Sequence, residues 1–199
     1  MNKKRLFVAI NLPEKINQKI DDVARDLTAA VGGEDLRWIS AENWHLTISF
    51  LGLQPDEAID KILRSIKEVA EEFECPEIEF EKIILAPTGK KPRMVWLAGS
   101  KESSEIISHI KDRLENSLID EGVRFRQELR AYNMHINLAR FRNLDEQILG
   151  ALKTGIDKLK IESTIRFKAQ SIDLMESESG HSGVGYTILS SALFGRGQQ

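Results

Sequence analysis

The sequence predicts an α+β fold made of two lobes of antiparallel sheet. Three observations carry that prediction. Strand-like and helix-like segments alternate only in part along the 199 residues. Hairpin signals stand at residues 88–92 and 180–185, and hairpins demand antiparallel pairing rather than the order of a doubly wound parallel sheet. The two halves also run in similar order, each with a histidine-bearing strand, a helix and a hairpin, although no extended repeat is visible.

Residues 6–12 read as a buried first strand, and Pro13 with Glu14 opens a helix. Ile16, Ile20, Val23, Leu27 and Val31 recur at helical spacing until Gly32 and Gly33 end the run. A short strand is expected at 38–39 and a clearer one at 44–51. Ile59, Ile62, Leu63, Ile66, Val69 and Phe73 form the stripe of a second helix over 56–73, which Pro76 prevents from continuing. Strands follow at 78–85 and 93–98 around the turn at 88–92. Ile106, Ile107, Ile110, Leu114 and Leu118 mark a third helix over 103–119. A second histidine strand spans 132–141, and Leu144, Ile148, Leu152, Ile156 and Leu159 form a fourth helical stripe that Gly150 and Gly155 weaken. Two long strands are expected at the end, 164–175 and 186–194, joined by the glycine-rich 180–185 loop.

The composition is that of a soluble globular chain, 41% hydrophobic and 30% charged, and the length suits one domain over residues 1–199. A net charge of -3 argues against coating nucleic acid by bulk attraction, but leaves room for a local basic pocket that grips one phosphate. Cys75 is the single cysteine, so no internal disulfide and no cysteine metal cluster can form. The apolar run after the basic start stops at Asn11, too short for a secretory segment, and no stretch approaches the length that spans a bilayer. A cytoplasmic protein with no membrane contact, present as a monomer, is expected.

The chemistry concentrates in two stretches, Trp44-His45-Leu46-Thr47-Ile48-Ser49-Phe50 and Met134-His135-Ile136-Asn137-Leu138-Ala139-Arg140. Alternate side chains of a strand share a face. His45, Thr47 and Ser49 are therefore expected together, as are His135, Asn137 and Ala139, with apolar residues behind each set. Two imidazoles across a cleft suit general acid–base work, since one ring can be neutral and the other protonated at the same pH. Thr47 and Asn137 can donate to phosphate oxygens, and asparagine inside a strand asks for such a reason. Arg130 and Arg140, five positions either side of His135, can supply guanidinium groups for the same anion.

These stretches resemble the 2H phosphoesterases, and within them the RNA 2′,3′-cyclic phosphodiesterases, also called 2′-5′ RNA ligase-like proteins. The resemblance rests on the paired His-Leu-Thr-Ile at 45–48 and His-Ile-Asn-Leu at 135–138, on the opening strand at 5–13, on WISAENWHLTISFLG at 38–52 and on Pro92-Arg93-Met94-Val95-Trp96. It implies lobes related by a pseudo-twofold axis, helices packed outside, and a central active-site groove. It further implies metal-independent hydrolysis of a cyclic phosphate to a 2′-phosphomonoester, with no cofactor. His45 would be the proton donor and His135 the proton acceptor. The partner would be RNA or a nucleotide carrying a 2′,3′-cyclic phosphate end. The chain departs from the family pattern at Asn137, where threonine or serine is usual, at Ala131 and Met134, where prolines are favoured, and at Tyr132, where phenylalanine is. Two other readings stand beside it: a nucleotide- or RNA-binding module without efficient turnover, and ligation or cleavage of 2′-5′ linkages.

The remaining candidates take structural readings. His109 on a helix and His181 in a glycine-rich loop are expected to be structural or solvated, and Trp44 and Trp96 are expected in the core. Phe7 and Tyr132 are the aromatic candidates for a place beside a substrate base. The four histidines and one cysteine show no ligand-like spacing for a metal, and no serine elbow or phosphate-binding P-loop is present.

Overall fold

The expected opening strand is β1 (Lys3–Asn11), and both of its faces are covered. Leu6, Val8 and Ile10 are at most 1% exposed on one face, and Phe7 and Ala9 at most 2% on the other. Covering on both sides is what makes the segment apolar throughout instead of alternating. Each such fully buried aliphatic side chain contributes about 1.5–3 kcal/mol relative to exposure. The computed structural model describes residues 3–31, 36–88, 91–128, 130–142, 145–158, 165–180 and 183–195. His181, Gly32 and Gly33, Leu144, Leu159, and residues 89–90 of the first expected turn lie outside the described residues.

Helix α1 (Glu14–Val31) starts where Pro13 fixes the backbone, and the Pro13 carbonyl accepts from the N–H groups of Ile16 and Asn17 at 2.8 and 3.1 Å. Its Ile16, Ile20, Ala24 and Leu27 are buried. Strand β2 (Leu36–Trp38) begins slightly earlier than expected, and a 3-10 turn, Ala41–Asn43, leads into β3 (His45–Pro55). Helix α2 (Ile59–Glu72) buries Ile62, Ile66 and Val69. The hairpin strands β4 (Glu77–Ala86) and β5 (Met94–Gly99) follow. Helix α3 (Lys101–Asp120) is capped by the Ser100 hydroxyl, which accepts from the Ser103 N–H, and it buries Ile107, Ile110, Leu114 and Leu118. The remaining elements are β6 (His135–Phe141), α4 (Glu146–Lys158), β7 (Ile165–Lys168), β8 (Ser171–Gly180) and β9 (Gly183–Leu193).

Every strand pairing is antiparallel, in two sheets ordered β3-β1-β8-β9 and β2-β6-β5-β4-β7. This is the expected α+β class. The lobes are not consecutive halves of the chain, however. The early strand β2 belongs to the sheet of β6, and the last hairpin, β8 with β9, returns to the sheet of β1. The strand expected as one piece over 164–175 is split between the sheets at residues 169–170. At the crossing the Ala169 N–H donates to the Pro76 carbonyl and the Gln170 carbonyl accepts from the Phe194 N–H, each at 2.9 Å. The backbone groups that leave one sheet are thereby satisfied before the next begins. Helix α2 packs on α3, β8 and β9, α1 packs on α4 and β7, and α3 touches both β3 and β4. Buried residues from both sheets form one contiguous cluster.

Candidate active site

The two histidine strands are built alike. His45 is the first residue of β3 and His135 the first of β6. Burial along His45–Phe50 and along His135–Arg140 follows the same sequence: half-buried, buried, half-buried, buried, buried, exposed. Both strands carry a bulge at the same place. On β3 the register runs from Ala9 opposite Thr47 to Val8 opposite Ser49, so Ile48 is the extra residue. On β6 it runs from Trp96 opposite Asn137 to Val95 opposite Ala139, so Leu138 is the extra residue. A bulge inserts one residue and reverses the alternation beyond it.

That reversal corrects two expectations, for Ser49 and for Ala139, and turns Arg140 to the histidine face. Ser49 does not share the face of His45 and Thr47. It is buried, and its hydroxyl donates to the Glu115 carboxylate at 2.8 Å. Phe50 takes the place expected of Ser49 on the histidine face, 64% exposed, opposite Phe7. On β6, Ala139 turns inward and Arg140 outward by the same device.

Each imidazole is held in the same way. His45 Nδ1 lies 2.8 Å from the carbonyl oxygen of Asn43, and His135 Nδ1 lies 2.7 Å from that of Asn133. A carbonyl only accepts, so Nδ1 carries the hydrogen in both rings and Nε2 is left to exchange protons with a ligand. The walls differ. Phe7 and Tyr186 pack against His45 with ring centroids at 4.9 and 4.8 Å, the tyrosine edge-on. Trp96 stacks on His135 at 3.7 Å with 19° between the planes. Burial lowers the pKa of His45, partly offset by the Asn43 carbonyl. Burial likewise lowers that of His135, partly offset by the Asn133 carbonyl and the Glu128 charge.

Asn137 is oriented by its neighbour. The Trp96 indole N–H donates to Asn137 Oδ1 at 2.6 Å. Since indole can only donate, the amide oxygen must face it, which leaves both Nδ2 hydrogens available elsewhere. Thr47 lies opposite the small Ala9, so its side chain faces less crowding. The two strands touch each other, and the Tyr132 hydroxyl donates to the Thr47 carbonyl at 2.7 Å. Burial raises the pKa of that phenol, which keeps it protonated as a donor. Among the described residues, no three His, Cys, Asp or Glu side chains are grouped where they could hold a metal ion.

The family described as LigT like Phosphoesterase matches residues 10–96, which include β3 and its histidine. The RNA 2′,3′-cyclic phosphodiesterase of Methanocaldococcus jannaschii is 27% identical over 189 residues, covering 93% of this chain and 98% of its own. That of Archaeoglobus fulgidus is 28% identical over 146 residues, covering 72% and 76%. Among solved structures, E. coli LigT complexed with 3′-AMP superposes with a TM-score of 0.72 at 21% identity, over 97% of this chain and 99% of that one. TT0787 of Thermus thermophilus gives 0.72 at 20% identity, over 98% and 100%. The family match spans 87 of the 199 residues, and the solved structures share the fold.

Within this LigT-like frame, the sequence-level candidates separate. His135, Asn137 and Arg140 share one face of β6, and His45 and Thr47 share one face of β3. Arg130 stands apart from the strands: it lines a surface depression of about 320 Å³ with Lys111, Asp112, Glu115, Glu128 and Tyr132, and neither motif histidine lines it. Trp44 is in the core as expected, at 4% exposure. Trp96 is not; it serves as the platform of His135. It alternates with Val95 and Leu97, which are buried on the other face of β5. Tyr186, from the last hairpin, had no local signal. Of the two aromatic candidates, Phe7 does pack beside His45, and Tyr132 bonds to backbone.

Proposed function

We propose that this LigT-like chain, as a single two-lobed domain, hydrolyses RNA 2′,3′-cyclic phosphates to 2′-phosphomonoesters. One observation carries the reading: two imidazoles at equivalent places on two like-bulged strands, each anchored through Nδ1 and each offering Nε2. The names of the curated relatives support it, as does the 3′-AMP held by a protein of the same fold.

His135 Nε2 accepts a proton from water as the water oxygen attacks phosphorus. The bond from phosphorus to the ribose 3′-oxygen breaks, and His45 Nε2–H protonates that oxygen. One P–O bond forms and one breaks, and the two rings exchange protonation states, which solvent then resets. The anionic phosphate raises the proton affinity of a nearby ring, which opposes the lowering by burial and favours a protonated His45. The Thr47 hydroxyl, the Asn137 amide, and the guanidinium groups of Arg140 and Arg130 supply donors for charge on the phosphate oxygens. Arg130 must reach in from its neighbouring depression. No metal enters this scheme. Among the described residues no helix is long and apolar enough to cross a membrane, and the free Cys75 suits a reducing compartment such as the cytoplasm, where the chain would act as a monomer on RNA ends.

Incubation of the purified protein with a 2′,3′-cyclic nucleotide, with and without EDTA, tests the proposal. A 2′-phosphate should form equally in both. His45→Ala and His135→Ala should each lower kcat by about a hundred- to ten-thousandfold. No product from the wild type, or product that survives both substitutions, would overturn it.

A further inference from the structure

Two arginines face each other across neighbouring strands on the histidine side of the second sheet. The register places Arg37 of β2 directly opposite Arg140 of β6, and Arg140 opposite Met94 of β5. Met94 alternates with Trp96, which stacks on His135. Residues opposite one another in an antiparallel pair share a face. Arg37, Arg140, Met94, Trp96 and His135 therefore lie on one side of the sheet. The intervening residues point the other way, with Leu36 and Ala139 buried.

Like charges directly opposite on a ladder destabilise it. Both guanidinium groups belong to exposed residues, and neither forms an ion pair among the described residues, whereas Arg25, Arg64, Arg113 and Arg166 each meet a carboxylate. Arg37 stands beside the reactive position rather than on it, and Arg140, on the strand between, has donors enough to serve the reacting phosphate and a neighbouring one. Along the unbulged β5, Met94 is two residues from Trp96, which is about 7 Å of strand, and β2 lies about 5 Å beyond β6. That displacement is of the order of one nucleotide.

We infer that Arg37, with Arg140, forms a second anion subsite that receives the internal phosphodiester adjoining the cyclised end of an RNA strand. The inference rests on the phosphodiesterase reading for its first phosphate. A diester offers two non-bridging oxygens, and two guanidinium forks on adjacent strands can each take one. A cyclic mononucleotide has no such diester and leaves Arg37 without a ligand. The site therefore selects strand ends over free cyclic nucleotides.

The test compares kcat/KM for a cyclic mononucleotide with that for a trinucleotide ending in a 2′,3′-cyclic phosphate. The trinucleotide should be favoured about ten- to a hundredfold, the range that a charge-assisted contact supplies. Arg37→Gln should reduce that ratio towards one, and Arg37→Lys, which keeps charge without the fork, should fall between. Equilibrium binding of a trinucleotide bearing a 2′-phosphate end reads the subsite without turnover. Arg37→Gln should weaken it and flatten its dependence on log salt by about 0.7 for one lost contact. Equal kcat/KM for the two substrates in the wild type, or equal losses on both in Arg37→Gln, would overturn the subsite. A wild type that turns over neither substrate, yet binds the trinucleotide through Arg37, would overturn the phosphodiesterase reading alone.

Discussion

The hydroxyl of Tyr132 donates a 2.7 Å hydrogen bond to the backbone carbonyl of Thr47. Tyr132 lies three positions before His135, and Thr47 two positions after His45, so one side chain ties the two half-sites together. Tyr132→Phe keeps the ring and deletes the tie. Loss of a hydrogen bond to a partly buried acceptor should cost about 1 kcal/mol of stability, read as a lower denaturation midpoint. If the tie also holds the spacing of the histidines, kcat should fall several-fold while KM changes little.

The Trp96 and Asn137 pair gives a graded series. Asn137→Thr places a hydroxyl that can accept from the indole and still donate to phosphate, so activity should stay within a few-fold of wild type or rise. Asn137→Ala removes the acceptor and the donors, leaving the indole N–H unpaired at a cost of about 1–3 kcal/mol, with lower activity. Steady-state kinetics of both variants checks the order. A large loss in Asn137→Thr would show that the amide does something a hydroxyl cannot.

Both motif histidines have pKa values lowered by burial. The limbs of the pH profile of kcat/KM should therefore lie on the acid side of those of solvated histidines. The same shift links to stability. Between the lowered folded value and the unfolded value of about 6.5, the unfolded chain binds more protons than the folded one, so stability falls as pH drops through that window. Denaturant midpoints measured from pH 7.5 to 5 should decline, and His45→Gln should make the decline shallower.

Beneath the β3 bulge, Lys111 and Glu115 form a 2.8 Å ion pair, each side chain less than 10% exposed, and Ser49 donates to the same carboxylate. Lys111→Met leaves that carboxylate buried and short of its countercharge. The expected loss is about 3–5 kcal/mol, measurable by equilibrium unfolding. The double variant Lys111→Met, Glu115→Leu should recover part of it, although Ser49 then loses its acceptor.

Much of the site was legible because its signals are local. A histidine and a hydrogen-bonding side chain two apart, flanked by Leu46 and Ile48 or by Ile136 and Leu138, can be read from alternation alone. The bulges could not be read in this way. Nothing in the residue types at 48 or 138 announces an inserted position, so alternation put Ser49 and Ala139 on the wrong face. Trp96 was misplaced for a related reason: an aromatic in an apolar strand looks like core until one knows which face of the sheet is already filled. The break at residues 169–170 escaped notice because the apolar pattern runs on through it. What changes there is the sheet, a tertiary fact with no local mark.

The last hairpin closes the wall around His45 through Tyr186, and its β8 pairs with β1, far away along the chain. During synthesis, the histidine emerges from the ribosome well over a hundred residues before its aromatic neighbour does. A nascent chain therefore carries both imidazoles before the wall around His45 is closed, and that closure waits for the hairpin to emerge.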